Sequence, residues 1–366
     1  MRILVIGINI RHIAASASRA GHEVMAVDCY CDVDLARYAK ETAKMPREVA
    51  SEHLSFYVDK FCPDAVVLGP GLEDASIRGA VVLNNSPEKT AKVSDKLWLA
   101  GWLEENGFPF IKTERLDSLD NPRYPFLVKP RKGAGGVGCR TVESAAQLQL
   151  HEEDLIAQEL INGRPASVSV IGNGSQARAI AVNEQLIGVP WAGAKGFRYS
   201  GNITPLASPQ CAIAEMAEEI ISKLGLLGSN GVDFLLTEKG PVVVEVNSRF
   251  QGSLDTVELS GGENVFQAHL QSFGGRLPKR PGPASCTAGR IIVYAPCDLI
   301  IEADLVREWT ADVPVTGSRI AADDPILSIL AQGSSRDDVI AQLKMRVAML
   351  GNLIKNKTIY YQDTTL

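Results

Sequence analysis

VVVEVNSRFQG, residues 242–252, places polar side chains inside a run of valines. Valines at this density predict a buried β-strand, and side chains two positions apart on a strand point to the same face. Glu245 and Asn247 therefore share a face, and Arg249 follows at the same spacing. A buried carboxylate is unfavourable without a cation to pair with it. The stretch therefore indicates a ligand-binding face, the alternative being the solvent-exposed end of an ordinary strand.

A second strand precedes this one and is joined to it by a tight turn. GVDFLL, residues 231–236, and the valine run flank TEKG, a pattern that predicts a β-hairpin. Antiparallel pairing can bring Asp233 close to Glu245 and Asn247. Three oxygen donors on one face suit Mg²⁺, which prefers oxygen ligands and fills its remaining positions with water and phosphate. The hairpin therefore predicts a magnesium site, with Mn²⁺ as an alternative metal.

A lysine and a glycine-rich loop suggest what the metal would accompany. Lys129 ends the apolar strand PFLVK, and the loop Gly133-Ala134-Gly135-Gly136-Val137-Gly138 follows. Such a loop can donate backbone N–H groups to phosphate oxygens, although a glycine loop alone is more often a plain turn. Together with the acidic hairpin, these residues indicate a nucleoside triphosphate bound with Mg²⁺.

Composition excludes several other classes of protein. The 366 residues carry a formal net charge of −6, so no basic surface for nucleic acid is expected. The apolar runs are too short to span a bilayer, and the first residues do not read as a signal peptide. Seven scattered cysteines without a CxxC pair predict reduced thiols and no zinc site. We expect a cytoplasmic protein that acts on small molecules.

Periodicity predicts an α/β protein whose N-terminal part is a parallel sheet. The first turn, GINIR, lacks the GxGxxG glycines of a dinucleotide site, although Asp28 ends the second strand as a ribose-binding acid would. Strands are expected at 2–7, 22–28, 65–69 and 177–186, with two strands around the glycine loop in 124–142 and two around a turn in 155–172. Helices are expected at 10–20, 211–224 and 335–354 and after Ser94 or Asp95, with a loop at 188–206 and a linker at 279–283. The short strands around the glycine loop suggest a mobile lid, at about 113–187.

With these segments in place, the chain resembles the ATP-grasp superfamily, and in particular the predicted ATP-dependent carboligases related to biotin carboxylase. The resemblance lies in the order and spacing of SDKLWLAGWLEENGFP, PFLVKPRKGAGGVG, IAQELINGRPASVSV, GVDF and VEVNSRFQG. It implies a Rossmann-like domain at 1–88 and an ATP-grasp domain at 89–280. A C-terminal domain at 281–366 would resemble that of biotin carboxylase. The oligomeric state stays open, with a homodimer as one expectation.

The resemblance also implies a role for each matching residue. Asp233, Glu245 and Asn247 would hold Mg²⁺, and Arg249 and Lys129 would act in catalysis, Arg249 by stabilising an acyl phosphate. The residues implied to bind ATP are Lys96, Lys129, Gly133, Gly135, Gly136, Val137, Gly138, Gln158, Glu159, Leu160 and Ile161.

Position in the chain, rather than the resemblance, suggests further residues for the second substrate. The loop between the lid and the hairpin would offer Lys195, Arg198, Tyr199 and Asn202 to a second carboxylate, the alternative being a surface connection. Arg11 could reach the same cleft, the alternative being a solvated residue at the start of a helix, and Gln251 and Ser253 complete the candidates.

The implied activity is a ligase that activates a carboxylate with Mg-ATP and couples it to an amine. One departure from the biotin-carboxylase pattern favours this activity. The glutamate that helps deprotonate bicarbonate is replaced here by Ser253, so carboxylation through carboxyphosphate is the weaker alternative. A nucleotide-binding regulator without turnover is a second alternative.

Overall fold

The computed structural model describes residues 1–48, 51–119, 122–147, 154–207 and 211–355. Its N-terminal sheet has the strand order β3-β2-β1-β4, with all strands parallel. The strands are β1 (Arg2–Gly7), β2 (Glu23–Asp28), β3 (Glu41–Lys44) and β4 (Ala65–Leu68), and helices α1 (Arg11–Arg19) and α2 (Ser51–Phe61) connect them. The parallel α/β arrangement predicted from the apolar runs is confirmed. The short edge strand β3 was not predicted, because it is polar and partly exposed.

A small antiparallel sheet carries the glycine-rich loop. Its strands are β5 (Thr113–Arg115), β6 (Phe126–Pro130), β7 (Arg140–Val142) and β8 (Leu155–Glu159), in the order β5-β8-β6-β7. The loop connects β6 to β7. Helices α3 (Pro87–Val93) and α4 (Lys96–Glu105) precede this sheet in the chain.

The largest sheet has eight strands in the order β13-β12-β9-β10-β11-β14-β18-β16. These are β9 (Arg164–Asn173), β10 (Ala177–Ile187), β11 (Tyr199–Thr204), β12 (Leu227–Thr237), β13 (Gly240–Asn247), β14 (Thr287–Tyr294), β16 (Thr310–Ala311) and β18 (Pro325–Gly333). Strands β15 (Leu299–Ile300) and β17 (Arg319–Ile320) form a separate ribbon. Because β14 pairs with β11, residues on both sides of the predicted linker at 279–283 belong to one sheet.

Two sequence-based expectations differ from this arrangement. Strands β9 and β10 fall within the predicted lid at 113–187, yet they pair inside the large sheet instead of the small one. The loop predicted at 188–206 contains β11, whose polar side chains Asn202 and Thr204 are fully or almost fully buried. Hydrogen bonds among these side chains replace the apolar packing from which a buried strand is usually recognised.

Helices cover the large sheet and complete its core. They are α5 (Cys211–Lys223), α6 (Leu254–Leu259), α7 (Val265–Phe273) and α8 (Arg336–Lys355). One apolar cluster joins α5 to the strands β9 and β12, as Ile220, Val168 and Phe234 illustrate. Another joins α1 of the N-terminal region to α6 and α7. Residues 356–366 of the predicted C-terminal domain lie outside the described part of the chain.

Two further observations bear on the expectations from composition. No helix in the described ranges combines the length and apolar character needed to cross a bilayer. All seven cysteines are free thiols, and only Cys29 is buried.

Candidate active site

A cavity of about 1220 Å³ lies where the sheets meet. Its walls come from the small sheet, the β12–β13 hairpin, the C-terminal strands β14 and β18, and loops that follow β1 and β2. Ligand pockets commonly measure roughly 300–1,000 Å³. The cavity is therefore large enough for more than one small ligand.

The hairpin turns its acidic face toward this cavity. Asp233 on β12 pairs with Glu245 on β13, and Asn247 pairs with Gly231 two positions away. The Asn247 side-chain amide donates a hydrogen bond to Asp233 Oδ2 at 3.2 Å. All three oxygen-bearing side chains line the cavity, so the predicted hairpin and the shared face of Glu245 and Asn247 are confirmed.

Two carboxylates, those of Asp233 and Glu245, lie side by side on this face. Burial, followed by repulsion from Glu245, raises the pKa of Asp233 to about 7. A hydrogen bond with Gln185, attraction to the Arg249 guanidinium and the Asn247 amide oppose this rise in pKa only in part. A divalent cation between the carboxylates would offset the repulsion, so the donor set fits a hard metal ion such as Mg²⁺.

Two buried lysines stand beside the acidic face. Lys129 lies on β6, and Lys96 is the first residue of α4. Lys96 Nζ donates to the Gly133 carbonyl at 2.7 Å and lies 3.8 Å from Glu245 Oε1. Burial lowers the pKa of Lys129 to about 8, with attraction to Glu245 opposing the shift and repulsion from Lys96 adding to it. The phosphate oxygens of a bound ligand would stabilise the positive charges of both lysines.

The start of α4 is fixed by the residue that precedes Lys96. The Asp95 carboxylate accepts hydrogen bonds from the N–H groups of Leu97 and Trp98, both at 3.1 Å. It also binds the Arg131 guanidinium through two hydrogen bonds of 2.9 and 2.5 Å. Of the two N-cap residues considered from the sequence, the structure selects Asp95. Arg131 comes just before the glycine-rich loop, so Asp95 positions both Lys96 and the start of that loop.

We expect Asp95→Ala to lower the free energy of unfolding by about 1 kcal/mol, the usual cost of losing an N-cap. The same change should weaken ADP binding, because it releases Arg131 and shifts Lys96. Urea denaturation and calorimetric titration with Mg-ADP measure the two effects. Ser86→Ala removes the N-cap of α3, a helix whose cap does not adjoin the loop. Equal loss of ADP affinity in both variants would contradict a positioning role for Asp95.

The glycine-rich loop rests on the segment that leads into β11. The Tyr199 N–H donates to the Gly135 carbonyl at 3.1 Å. A Cβ atom at Gly136 would lie 1.9 Å from the Phe197 carbonyl oxygen, so only glycine permits this approach. Gly133, Gly135, Gly136 and Val137 line the cavity, whereas Gly138 is not among the described lining residues.

The end of β8 forms a wall beside β6, the strand that carries Lys129. Gln158 is buried, and its amide donates to Thr113 Oγ1 at 2.9 Å. The Glu159 N–H donates to the Lys112 carbonyl at 3.1 Å. Gln158, Glu159, Leu160 and Ile161 all line the cavity. This wall combines apolar surface with backbone polar groups, as the flat edge of a nucleobase requires.

Arg249 lies between the acidic face and the N-terminal region. Its Nη2 donates to Asn247 Oδ1 at 3.1 Å, and its Nε lies 2.6 Å from Glu73 Oε1. Glu73 follows β4 and was not identified from the sequence, because nothing near it in the chain indicates a site. The guanidinium retains access to the cavity, which both Arg249 and Glu73 line.

Gln251 and Ser253 continue the same wall beyond Arg249. Ser169 on β9 donates to Gln251 Oε1 at 3.2 Å, and its hydroxyl lies 3.1 Å from the Ser253 hydroxyl. Both residues line the cavity, as does Tyr199, whose hydroxyl donates to Asn202 Oδ1 at 3.2 Å. Three of the predicted substrate residues therefore come together here.

The other four predicted substrate residues are not among the described residues that line the cavity. Lys195 is largely exposed and pairs with Asp323 at 2.8 Å. Arg198 donates to the Asp323 carbonyl at 2.8 Å and stacks on Tyr294. Asn202 is buried within the large sheet. These side chains do not reach the site because Asn202 on β11 points into the sheet, whereas Lys195 and Arg198, which precede β11, bind Asp323.

Arg11 is the fourth, and it joins three parts of the molecule. It forms two hydrogen bonds with the Asp255 carboxylate, at 2.8 and 2.6 Å, and a third with Asp312 at 3.0 Å. Arg290 on β14 also binds Asp312, at 2.7 Å. Burial opposes the charge on Asp312, but Arg11 and Arg290 together hold the pKa of its carboxyl far below the usual value.

Arg290 reaches the cavity and was missed in the sequence. It donates to the Gly252 carbonyl at 2.9 Å and to Ser328 at 3.0 Å. An arginine in the middle of an apolar strand, AGRIIVY, is a detectable sign of a buried ion pair. That sign shows that a charge is buried, but not which distant carboxylates satisfy it.

Comparison with known proteins identifies a domain within the chain. Residues 93–253 match the family model of an ATP-grasp domain. The chain therefore contains a region similar to the domain that defines the ATP-grasp superfamily. Enzymes of this superfamily use ATP with Mg²⁺, and the oxygen donors, lysines and glycine-rich loop of this cavity fit that pair.

Sequence relatives of this chain include ligases. It is 26% identical over 362 residues to an uncharacterised protein of Methanocaldococcus jannaschii, a match that covers 91% of this chain and 88% of the relative. It is 29% identical over 158 residues to the 3-methyl-D-ornithine–L-lysine ligase of Methanosarcina acetivorans. That match covers 42% of this chain and 41% of the ligase, so it concerns less than half of either protein.

Solved structures confirm the fold over nearly the whole chain. Biotin carboxylase from Campylobacter jejuni superposes with a TM-score of 0.76 at 16% identity, covering 98% of this chain and 91% of that one. The L-amino acid ligase from Bacillus licheniformis superposes with a TM-score of 0.69 at 19% identity, covering 99% of each chain. At these identities the likeness concerns the fold alone.

Proposed function

We propose that this protein activates a substrate carboxylate with Mg-ATP and couples it to an amine, giving an amide, ADP and phosphate. The observation that carries the proposal is the meeting of three groups in one cavity. Lys96 and Lys129, the oxygen-bearing face of the hairpin, and Arg249 all line it. Phosphoryl transfer needs mainly positioning and neutralisation of charge, and these groups supply both.

Each group has a distinct task in this proposal. The lysines bind phosphate oxygens of ATP. Asp233, Glu245 and Asn247 would hold Mg²⁺, which would neutralise part of the phosphate charge. Arg249 faces the transferring phosphoryl group and the acyl phosphate that results. No side-chain nucleophile is needed, because the substrate carboxylate itself attacks the γ-phosphate.

The remaining walls bind the base and exclude water. The β8 wall from Gln158 to Ile161 receives the adenine. The glycine-rich loop rests on Phe197, and in that position it would cover the phosphates and limit the access of water to the acyl phosphate. Exclusion of water matters because an acyl phosphate hydrolyses when water competes with the amine.

The wall near Ser253 favours amide formation over carboxylation of biotin. Ser253 pairs with Ser169 where the biotin-carboxylase pattern has a glutamate base, so no carboxylate stands at this position. The partial match to the 3-methyl-D-ornithine–L-lysine ligase, whose name describes the coupling of two amino acids, supports the same choice.

A phosphate-release screen that crosses carboxylates with amines tests the proposal. We expect release that requires ATP, Mg²⁺, one acid and one amine together, with mass spectrometry identifying an amide. Release that requires bicarbonate and no amine would instead indicate the carboxylase. ATP binding without turnover across the whole matrix would indicate a regulator.

Glu245→Gln tests the metal-binding face directly. The variant keeps the shape of the side chain but loses one of two adjacent carboxylate charges, so Mg²⁺ should no longer strengthen ADP binding. We expect the ratio of ADP affinities with and without Mg²⁺ to fall about tenfold, as for loss of a ligand interaction worth about 1.4 kcal/mol. Calorimetry measures both affinities.

Glu238→Gln provides the matched control for that change. Glu238 lies in the exposed turn of the same hairpin and does not line the cavity. Its replacement should leave the Mg²⁺ dependence unchanged. A Glu245→Gln protein with normal Mg²⁺ dependence would contradict the assignment of the metal site.

A further inference from the structure

The cavity continues past Arg249 into a region lined by Asn9, His12, Asp32, Arg290 and Asp312, which we call the aspartate compartment. Loops after β1 and β2 form one side, and strands of the C-terminal region form the other. Neither the nucleotide nor the metal assigned above uses these residues. The compartment is therefore available to a substrate.

The aspartates around this compartment have strong partners, with one exception. Asp28 accepts hydrogen bonds from backbone N–H groups, among them that of Tyr30 at 2.7 Å, and Asp34 likewise accepts from Val313 at 2.8 Å. Asp255 and Asp312 bind guanidinium groups, as described above. Both guanidinium groups are in turn occupied by these two carboxylates.

Asp32 is the exception. It is 7% exposed, and among the described residues its carboxylate has one hydrogen bond, a long contact of 3.4 Å from Asn9 Nδ2. Asp32 is the N-cap of the short 3₁₀ helix Val33–Arg37, yet its side chain caps no N–H group there. Because aspartate normally caps at this position, the orientation of this carboxylate toward the cavity needs another explanation.

Charge at Asp32 is disfavoured until a cation arrives. Burial and repulsion from Asp312, Asp28 and Asp34 raise the pKa of Asp32 to about 8, and Arg11 opposes the shift only partly. Each repelling carboxylate is held in place by its own partners, so it cannot move away. A positively charged ligand group beside Asp32 would offset both the burial and the repulsion.

His12 provides an independent sign that a ligand belongs here. It is 3% exposed and lines the compartment, and neither of its ring nitrogens has a hydrogen-bond partner. Burial, with repulsion from Arg290, lowers the pKa of His12 to about 3, so the ring is neutral. Buried polar atoms without partners are rare in folded proteins, and a polar ligand is one way to satisfy them.

We infer that the aspartate compartment binds the ammonium group of an amino-acid substrate, with the Asp32 carboxylate as its counter-ion. The inference rests on the proposed ligase function and specifies its substrate class. An acid without an ammonium group would leave Asp32 unpaired. A second carboxylate in this compartment would add to the repulsion already present.

A matrix of straight-chain acids tests the inference. Acids of three to six carbons are each used without nitrogen, with a 2-ammonium group, with a terminal ammonium group, and with both. Calorimetry in the presence of Mg-ADP gives their affinities for the wild type and for Asp32→Asn. Hydrogen-bonded charge pairs predict that the best ammonium-bearing acid binds the wild type about tenfold more tightly than its nitrogen-free counterpart.

Two variants distinguish the effect of the Asp32 carboxylate from that of the other charges that line the cavity. Asp32→Asn should reduce that preference to less than about twofold, since the charge pair is lost while the shape is kept. The isosteric change removes a repelled carboxylate, so circular dichroism should show a folded protein. Asp324→Asn removes a half-buried carboxylate elsewhere on the same cavity and should keep the full preference.

Three results would overturn the inference: equal binding of acids with and without nitrogen, an unchanged preference in Asp32→Asn, or no binding of any ammonium-bearing acid to the wild type. The ligase proposal is judged separately, by phosphate release in the acid–amine screen. A ligase that prefers acids without nitrogen would therefore refute the substrate class and leave the ligase function standing.

Discussion

Arg249→Ala is expected to reduce amine-dependent ADP release about 1,000-fold, the scale on which one charged donor to a phosphoryl transition state acts. The side chain is held by Asn247 and Glu73, so its guanidinium is already oriented before substrates bind. Loss of the charge should lower kcat and kcat/KM together. Steady-state assays with coupled detection of ADP measure this loss.

A structural role for the Glu73–Arg249 ion pair would give a different pattern. Glu73→Gln breaks the pair but keeps the guanidinium in the cavity. Because the guanidinium charge stays in the cavity, the expected loss of activity is less than about tenfold. If Glu73→Gln and Arg249→Ala reduced activity equally, the loss would be due to the broken ion pair and not to the missing arginine charge.

Binding measurements distinguish this role from simple nucleotide binding. Arg249 contacts neither lysine nor the β8 wall, so Arg249→Ala should bind Mg-ADP nearly as the wild type does. A variant that binds nucleotide normally but turns over slowly would have lost an interaction made in the transition state. Full turnover by Arg249→Ala would refute its assigned role.

The sequence predicted the hairpin because the necessary information is local. Glu245, Asn247 and Arg249 are spaced two residues apart at the end of a valine run. Because side chains alternate between the two faces of a strand, this spacing places them on the same face. The structure confirms this face and its pairing with Asp233. The same reasoning could predict Lys129, which ends an apolar strand just before the glycine-rich loop.

Residues that approach the site from distant parts of the chain could not be predicted in this way. Glu73, Asp32 and Arg290 come from three regions, and only the packing of the N-terminal sheet against the C-terminal strands brings them to one cavity. No local pattern records that packing. Arg11 illustrates the reverse error, since its position after β1 suggested the cleft although Asp255 and Asp312 hold it in the interior.

Strand β11 shows a second limit of sequence patterns. Its residues YSGNIT read as a loop, because hydroxyl, amide and glycine groups replace the usual branched apolar side chains. In the structure Asn202 and Thr204 form hydrogen bonds with Asn183 and Thr256. A buried strand of this kind is stabilised by partners on other elements, which a single sequence does not reveal.

Gly136→Ala is expected to lower kcat/KM for ATP about 100-fold, the scale of a displacement of about 1 Å at a reacting group. The new methyl group would lie 1.9 Å from the Phe197 carbonyl oxygen. A backbone atom cannot move aside as the end of a flexible side chain can. The loop would have to lift from the 196–199 segment. Since the loop is mostly exposed, the thermal midpoint should change little.

Gly135→Ala isolates the effect of this contact. Gly135 and Gly136 have similar backbone angles, with φ of +67° and +74°, so alanine costs a similar strain at either position. A Cβ atom at Gly135 meets nothing within 4 Å. The difference between the two variants therefore measures the contact with Phe197 alone. If both lost activity equally, backbone strain would explain the loss, and the resting of the loop on this segment would have no part in catalysis.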